Sequence, residues 1–240
     1  MNTLVPAATN TLFVKYADDL TVISWHKPSS ANDNLQKECE NITHWCLNNQ
    51  MKINTTKTQI LHHHGRKPPC PPTIYIDGHL ITLVKSAKLL GIILAEDLKW
   101  KIHVTAAIKK ASKLTFSLLK LKRSGCRASL LLKFYEYCIR SHLTYCHPAM
   151  CNMGSGLLNQ LVKCERRCLL AVGIRPAISV SIHCNNICIH LKNAVSEYSG
   201  HPLRQLLHQH GRSTRSTGGL VLPSISSSIM ANSFIKYFAS

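Results

Sequence analysis

From Val104 to Leu121 apolar residues recur at 104, 107, 108, 111, 114, 118 and 121, which is helical spacing held over five turns. At about 100° per residue, Lys109, Lys113 and Lys120 fall together on the opposite side. Such a segment must pack one face against other helices and leave the lysines in solvent. Leu157 to Ala171 repeats the arrangement, with Lys163, Arg166 and Arg167 opposite Leu157, Leu161 and Cys168. Between them Arg127 to Leu143 is apolar almost all round, so the pattern predicts a buried helix there. Residues 99–173 thus read as a helical module holding 14 basic and 2 acidic side chains, a net +12.

Before residue 99 the pattern changes. Short strand-like runs at Leu12 to Tyr16, Leu20 to Ser24, Ile74 to Ile76 and Leu89 to Leu94 surround a helical stretch from about Asn32 to Asn48. Asp77-Gly78, set in Tyr75-Ile76-Asp77-Gly78-His79-Leu80-Ile81, predicts a two-residue hairpin turn. Here 9 basic residues face 8 acidic ones, a net +1. The fold class is α+β, divided into a strand-bearing part at 1–98, the helical part at 99–173, and a trailing part at 174–240 in which no element is legible beyond Arg175-Pro176.

The whole chain of 240 residues carries +18, which points to a polyanionic partner and away from a neutral metabolic enzyme. No apolar run approaches the ~18 residues of a membrane span, so no membrane is expected as a partner. Met1 to Leu12 has neither the cationic start nor the unbroken apolar stretch of a signal peptide. The expectation is an intracellular, unsecreted protein whose 11 Cys are mostly reduced. His183, Cys184, Cys188 and His190 are the best group for a structural zinc, with buried free thiols as the alternative. No phosphate-binding glycine loop and no nucleophile elbow occurs.

One stretch carries chemistry. In Phe13-Val14-Lys15-Tyr16-Ala17-Asp18-Asp19-Leu20-Thr21-Val22-Ile23-Ser24 two strand-like runs flank an acidic break, which predicts a tight hairpin with both carboxylates at its tip. Asp is also a common residue of plain turns. Carboxylates on rigid strands yet open to solvent suit Mg²⁺, whose other ligands are water and substrate phosphates, and two-metal phosphoryl transfer needs such a site.

These residues resemble the metal-binding palm motif of reverse transcriptases, in the Tyr-Ala-Asp-Asp form of non-LTR (LINE-type) retrotransposons and group II intron enzymes. The resemblance continues in order: Trp45, Asn48, Lys52, Ile53 and Asn54 lead into Lys57-Thr58 like the helix-to-strand palm segment. Lys88-Leu89-Leu90-Gly91-Ile92 is similar to the primer-grip strands, and Leu98, Trp100, His103 and Val104 to the entry of the thumb. It covers about residues 12 to 173, and the segment around Leu220 to Phe238 looks like the one that trails these polymerases. The resemblance implies a partial palm followed by a helical thumb, with RNA template and DNA primer, or their hybrid, as partners and two Mg²⁺ as cofactor in the intact enzyme. It implies Asp18 and Asp19 as metal ligands, Lys57 near the incoming nucleotide's pyrophosphate, and Leu90, Gly91 and Ile92 as primer grip. Lys109, Lys113, Lys120, Lys163, Arg166 and Arg167 would hold phosphates.

The family's site has a third carboxylate on an earlier strand and fingers further upstream, and none of the 17 residues before Asp18 is Asp or Glu. The expectation is the C-terminal part of an RNA-directed DNA polymerase, inactive alone, with weak or absent Mg²⁺ binding. Two alternatives stand beside it: a non-catalytic nucleic-acid-binding relic, and a zinc-stabilised interaction module.

Overall fold

A computed structural model describes residues 3–24, 33–63, 72–150, 153–198, 200, 208–209 and 220–221. The chain is mixed helix and strand and divides into two compact units, Met1–Leu98 and Lys99–Ser240. The division falls where the charge balance changes.

The first unit is built on hairpins and one helix. Strand β1 (Thr11–Tyr16) pairs antiparallel with β2 (Asp19–Ser24), Tyr16 opposite Asp19, so the connection is the two residues Ala17-Asp18. Alternation sends Phe13, Leu20 and Val22 inward, where they pack with Leu4, Ile42 and Cys46, and leaves Leu12, Val14, Tyr16 and Ile23 exposed on the other face. Helix α1 (Asp33–Asn48) meets that hairpin through Ile42 and Cys46 and a second cluster, Ile74, Ile76 and Ile81, through Leu35 and Cys39. Glu38, on the same helix, is fully buried and accepts the Ala7 and Ala8 backbone N–H groups at 3.1 and 2.6 Å, which satisfies its charge and ties down the segment before β1.

Strand β3 (Gln59–Leu61) lies parallel to β6 (Thr82–Val84), while β4 (Tyr75–Ile76) and β5 (His79–Leu80) close the expected Asp77-Gly78 hairpin. Gln36 brackets the Tyr75 backbone, donating to its carbonyl at 3.1 Å and accepting its N–H at 3.0 Å, a side-chain substitute for a neighbouring strand. The strand expected over Leu89 to Leu94 is instead the end of β7 (Ser86–Leu89), a turn, and β8 (Ile92–Ala95). Leu90 and Gly91 both have positive φ, +46° and +86°, the sign pattern of a type I′ hairpin. An apolar run gives no warning of such a turn when only its glycine is a turn residue.

The second unit is a helical bundle. Helix α2 (Lys101–Arg123) packs against a continuous helical stretch made of α3 (Ala128–Phe134), a π-helical segment at Tyr135–Arg140 and α4 (Ser141–Thr144), and against α5 (Ser155–Val172). This corrects the expectation for Arg127 to Leu143: the helix exists but is not buried all round, since Leu130 and Tyr137 are exposed while Arg140 is buried. The extra residue of the π-turn rotates the following face, which no regular 3.6-residue count anticipates.

A sixth helix, α6 (Val180–Glu197), occupies the region in which the sequence showed no element. Its signals were present: Ser179 caps it by accepting the Ile182 N–H, and Val180, Cys184, Cys188 and Val195 form its buried side. No helix among the described residues is long and apolar enough to cross a membrane.

Candidate functional site

The carboxylate pair sits at the predicted hairpin tip. Asp18 is the second loop residue and Asp19 the first residue of β2, and both are exposed. The preceding Ala17 has φ +53°, a left-handed conformation that costs a residue with a Cβ about 1–2 kcal/mol. Lys15 donates its ammonium to the Leu4 carbonyl, which holds the strand from the side. Among the described residues no three His, Cys, Asp or Glu side chains converge as metal ligands, so the hairpin supplies two carboxylates and no third.

Lys57 lies in the turn between α1 and β3, exposed, with its backbone N–H bonded to the Asn54 carbonyl and side chain at 3.2 and 3.1 Å. Leu90 and Gly91 form the tip of the β7–β8 hairpin, and Ile92 starts β8 opposite Leu89. Asp18, Asp19, Lys57, Leu90, Gly91 and Ile92 all belong to the first unit.

The six cations expected to hold phosphates are all exposed on α2 and α5 of the second unit. Helix α2 has seven basic residues and no acid. Helix α5 has one acid, Glu165, and it is 4% exposed. Thr115 Oγ1 lies 2.8 Å from Cys168 Sγ, Lys122 donates to the Ala171 carbonyl at 3.4 Å, and Ser112 is hydrogen-bonded with Cys164. The paired positions 112–164, 115–168 and 122–171 rise together, so α2 and α5 run parallel. In a parallel pair, a residue one step after a contact on one helix and one step before a contact on the other lie on the same side. Lys109, Lys113, Phe116 and Lys120 from α2 therefore share a face with Lys163 and Arg167 from α5, and Arg166 points further from α2.

Glu165 is the functional residue that sequence reasoning missed, and its work is structural. It accepts the Tyr135 hydroxyl at 2.5 Å and the Val180 N–H at 3.0 and 2.9 Å, placing a carboxylate on the first turn of α6 where backbone N–H groups and the helix dipole favour it. Burial, with Glu165 beside it, raises the Tyr135 hydroxyl's pKa. Arg140 completes the network, giving one N–H to the Ile178 carbonyl at 2.7 Å and lying 5.0 Å from the Tyr135 ring. The one carboxylate of α5 thus points into the core and leaves its outer surface to the cations.

Four of the thiols, Cys164 with Cys168 and Cys184 with Cys188, form two buried pairs. A hydrogen bond from Cys164, together with Thr115 and Arg167, lowers the pKa of Cys168, and the same bond raises that of Cys164. Cys184 is pushed up to about 12 by burial and by Cys188. The zinc group of His183, Cys184, Cys188 and His190 is not assembled: on α6 the two thiols are buried while His190 is exposed, because seven residues return to one face and four residues to another. Cys184 and Cys188 instead line a cavity of about 130 Å³ with Met150, Met153 and His147. His147 is 7% exposed, and burial lowers its pKa. His63 is half-buried with Nδ1 2.5 Å from the Glu96 carbonyl. Most of the Leu220 to Phe238 segment lies outside the described residues, which include only the Leu220–Val221 strand, paired with His208–Gln209.

Neither a family model, nor a curated protein, nor a solved structure matches the chain.

Proposed function

We propose that this chain is the C-terminal part of a non-LTR-type reverse transcriptase, and that its own activity is nucleic-acid binding through the second unit. The observation that carries the binding half is the acid-free cationic face of α2 and α5. Lys109, Lys113 and Lys120, on a helix that holds seven basic residues and no carboxylate, face solvent beside Lys163 and Arg167 and repel one another until a polyanion arrives. The hairpin that presents Asp18 and Asp19 supports the polymerase half, as does the order of motif-like segments behind it. In a complete enzyme Asp18 and Asp19 would hold Mg²⁺ through hard oxygen donors, and Mg²⁺ would stabilise the charge developing on the departing pyrophosphate. Lys57 would approach that pyrophosphate, and the Leu90-Gly91-Ile92 tip would approach the primer. Two carboxylates on one hairpin position a pair of metals poorly, so this chain by itself extends no primer.

The test is equilibrium binding of a labelled RNA–DNA hybrid by the full chain, followed by anisotropy. Replacing Lys109, Lys113 and Lys120 together by Glu is expected to weaken binding at least tenfold at moderate salt. Wild-type affinity in that variant refutes the assignment.

The second alternative, a zinc-stabilised module, has less support, since no three donors converge among the described residues. Absence of stoichiometric zinc in purified protein would remove it.

A further inference from the structure

Phe116 does not belong in a purely electrostatic surface. It is 58% exposed, and it sits at helical spacing between Lys113 and Lys120 on the cationic side of α2. Burial cannot explain it, because the inward side of α2 is occupied by Val104, Ala107, Ala111 and Leu118. Lys120 Nζ lies 4.7 Å from the ring centroid, so a cation is already drawn to this π system. By the parallel packing of α2 on α5, with Thr115 against Cys168, Phe116 and Arg167 stand level with each other on the same side of the helix pair. The ring is therefore framed by Lys113 and Lys120 along its own helix and by Arg167 across the neighbouring one. Phosphates of a paired duplex need only the cations. An exposed aromatic ring among evenly spaced cations suits a strand whose bases are unpaired, since each base offers a π face and each phosphate a charge.

We propose that the α2–α5 face takes single-stranded nucleic acid, with Phe116 stacking on an unpaired base and Lys109, Lys113, Lys120, Lys163 and Arg167 receiving the flanking phosphates. This deepens the nucleic-acid reading above and rests on it. The site reads no sequence, because stacking and phosphate contact are open to every base.

The experiment compares the full chain with F116L, F116W and the triple variant K109E/K113E/K120E on two probes, a 12-nucleotide oligo(U) and a 12-base-pair RNA–DNA hybrid, at one salt concentration. Phe116 is exposed, so F116L keeps the fold, which circular dichroism verifies. F116L is expected to bind the single strand about tenfold more weakly while changing hybrid affinity less than twofold, and F116W is expected to restore single-strand binding. If F116L binds oligo(U) like the wild type while the triple variant loses both probes, the stacking inference falls and the nucleic-acid reading stands. An equal loss on both probes in F116L also overturns the single-strand assignment. If neither F116L nor the triple variant differs from the wild type, the nucleic-acid reading falls with it.

Discussion

Among the described residues the helical unit gathers fifteen buried ones, from Val104 to Cys184, into one continuous cluster, whereas the first unit divides six between two clusters of three. The difference comes from how each kind of element buries its surface. A helix of 23 residues such as α2 presents one long apolar stripe, and three further helical stretches close over it, so the opposite side is left to Lys109, Lys113 and Lys120 with the exposed Phe116 among them. Two-stranded hairpins cover themselves on one face at most. In β1–β2 the outer face keeps Leu12, Val14, Tyr16 and Ile23 in solvent. Stability and cationic surface therefore belong to the second unit, and the exposed carboxylates and apolar strand faces to the first.

The strongest way to break this contrast is to open the buried hydrogen-bond network around Glu165. Glu165→Ala leaves the Tyr135 hydroxyl and the Val180 N–H without their acceptor, so it should destabilise the second unit by about 3 kcal/mol. Urea unfolding followed by helical circular dichroism measures it. A loss below about 1 kcal/mol would mean that water replaces the carboxylate and that the network does not hold α6.

A smaller effect comes from pH. His103 and His147 have folded pKa values below the ordinary imidazole value of 6.5, in each case chiefly through burial, with Lys110 adding repulsion at His103. Their protonation favours the unfolded chain, so the stability they allow is complete above pH 6.5 and is lost as pH falls through the range below it. The urea midpoint of the helical transition is expected to drop between pH 7.5 and 5. A midpoint that stays level over that interval contradicts the burial of these rings.

The smallest effect sharpens the comparison from the other side. Leu90 is held at φ +46° in a turn that favours Asn-Gly, so Leu90→Asn should stabilise the first unit by about 1 kcal/mol and leave the helical transition unmoved. A change in the helical transition instead would mean that the two units do not unfold separately.

Local pattern is enough to read α1, α2 and α5 and the Asp77-Gly78 turn, and it finds the hairpin at the acidic break one residue off, since the loop is Ala17-Asp18 and Asp19 already pairs with Tyr16. It failed where a long-range partner decides. Glu165 could not be assigned from sequence, since its acceptor role depends on Tyr135, thirty residues earlier, and on Val180, fifteen residues later. The π-turn at Tyr135–Arg140 shifts a face that regular counting keeps fixed. Phe116 lies outside the apolar series from 104 to 121 and by helical spacing falls beside Lys113 and Lys120, so its side is legible in the sequence, while its exposure and its contact with Lys120 are not.

The central claim is that the binding charge belongs to the α2–α5 face and not to the chain's net charge at large. Its most direct measurement is the dependence of log K on log salt for an RNA–DNA hybrid, in wild type, in K109E/K113E/K120E, and in K52E/K85E/K88E, which reverses three exposed lysines of the first unit. Three lost phosphate contacts should flatten the slope by about 2.7 in the α2 variant, and the first-unit variant should keep the wild-type slope. Equal slopes in the two variants would contradict the account.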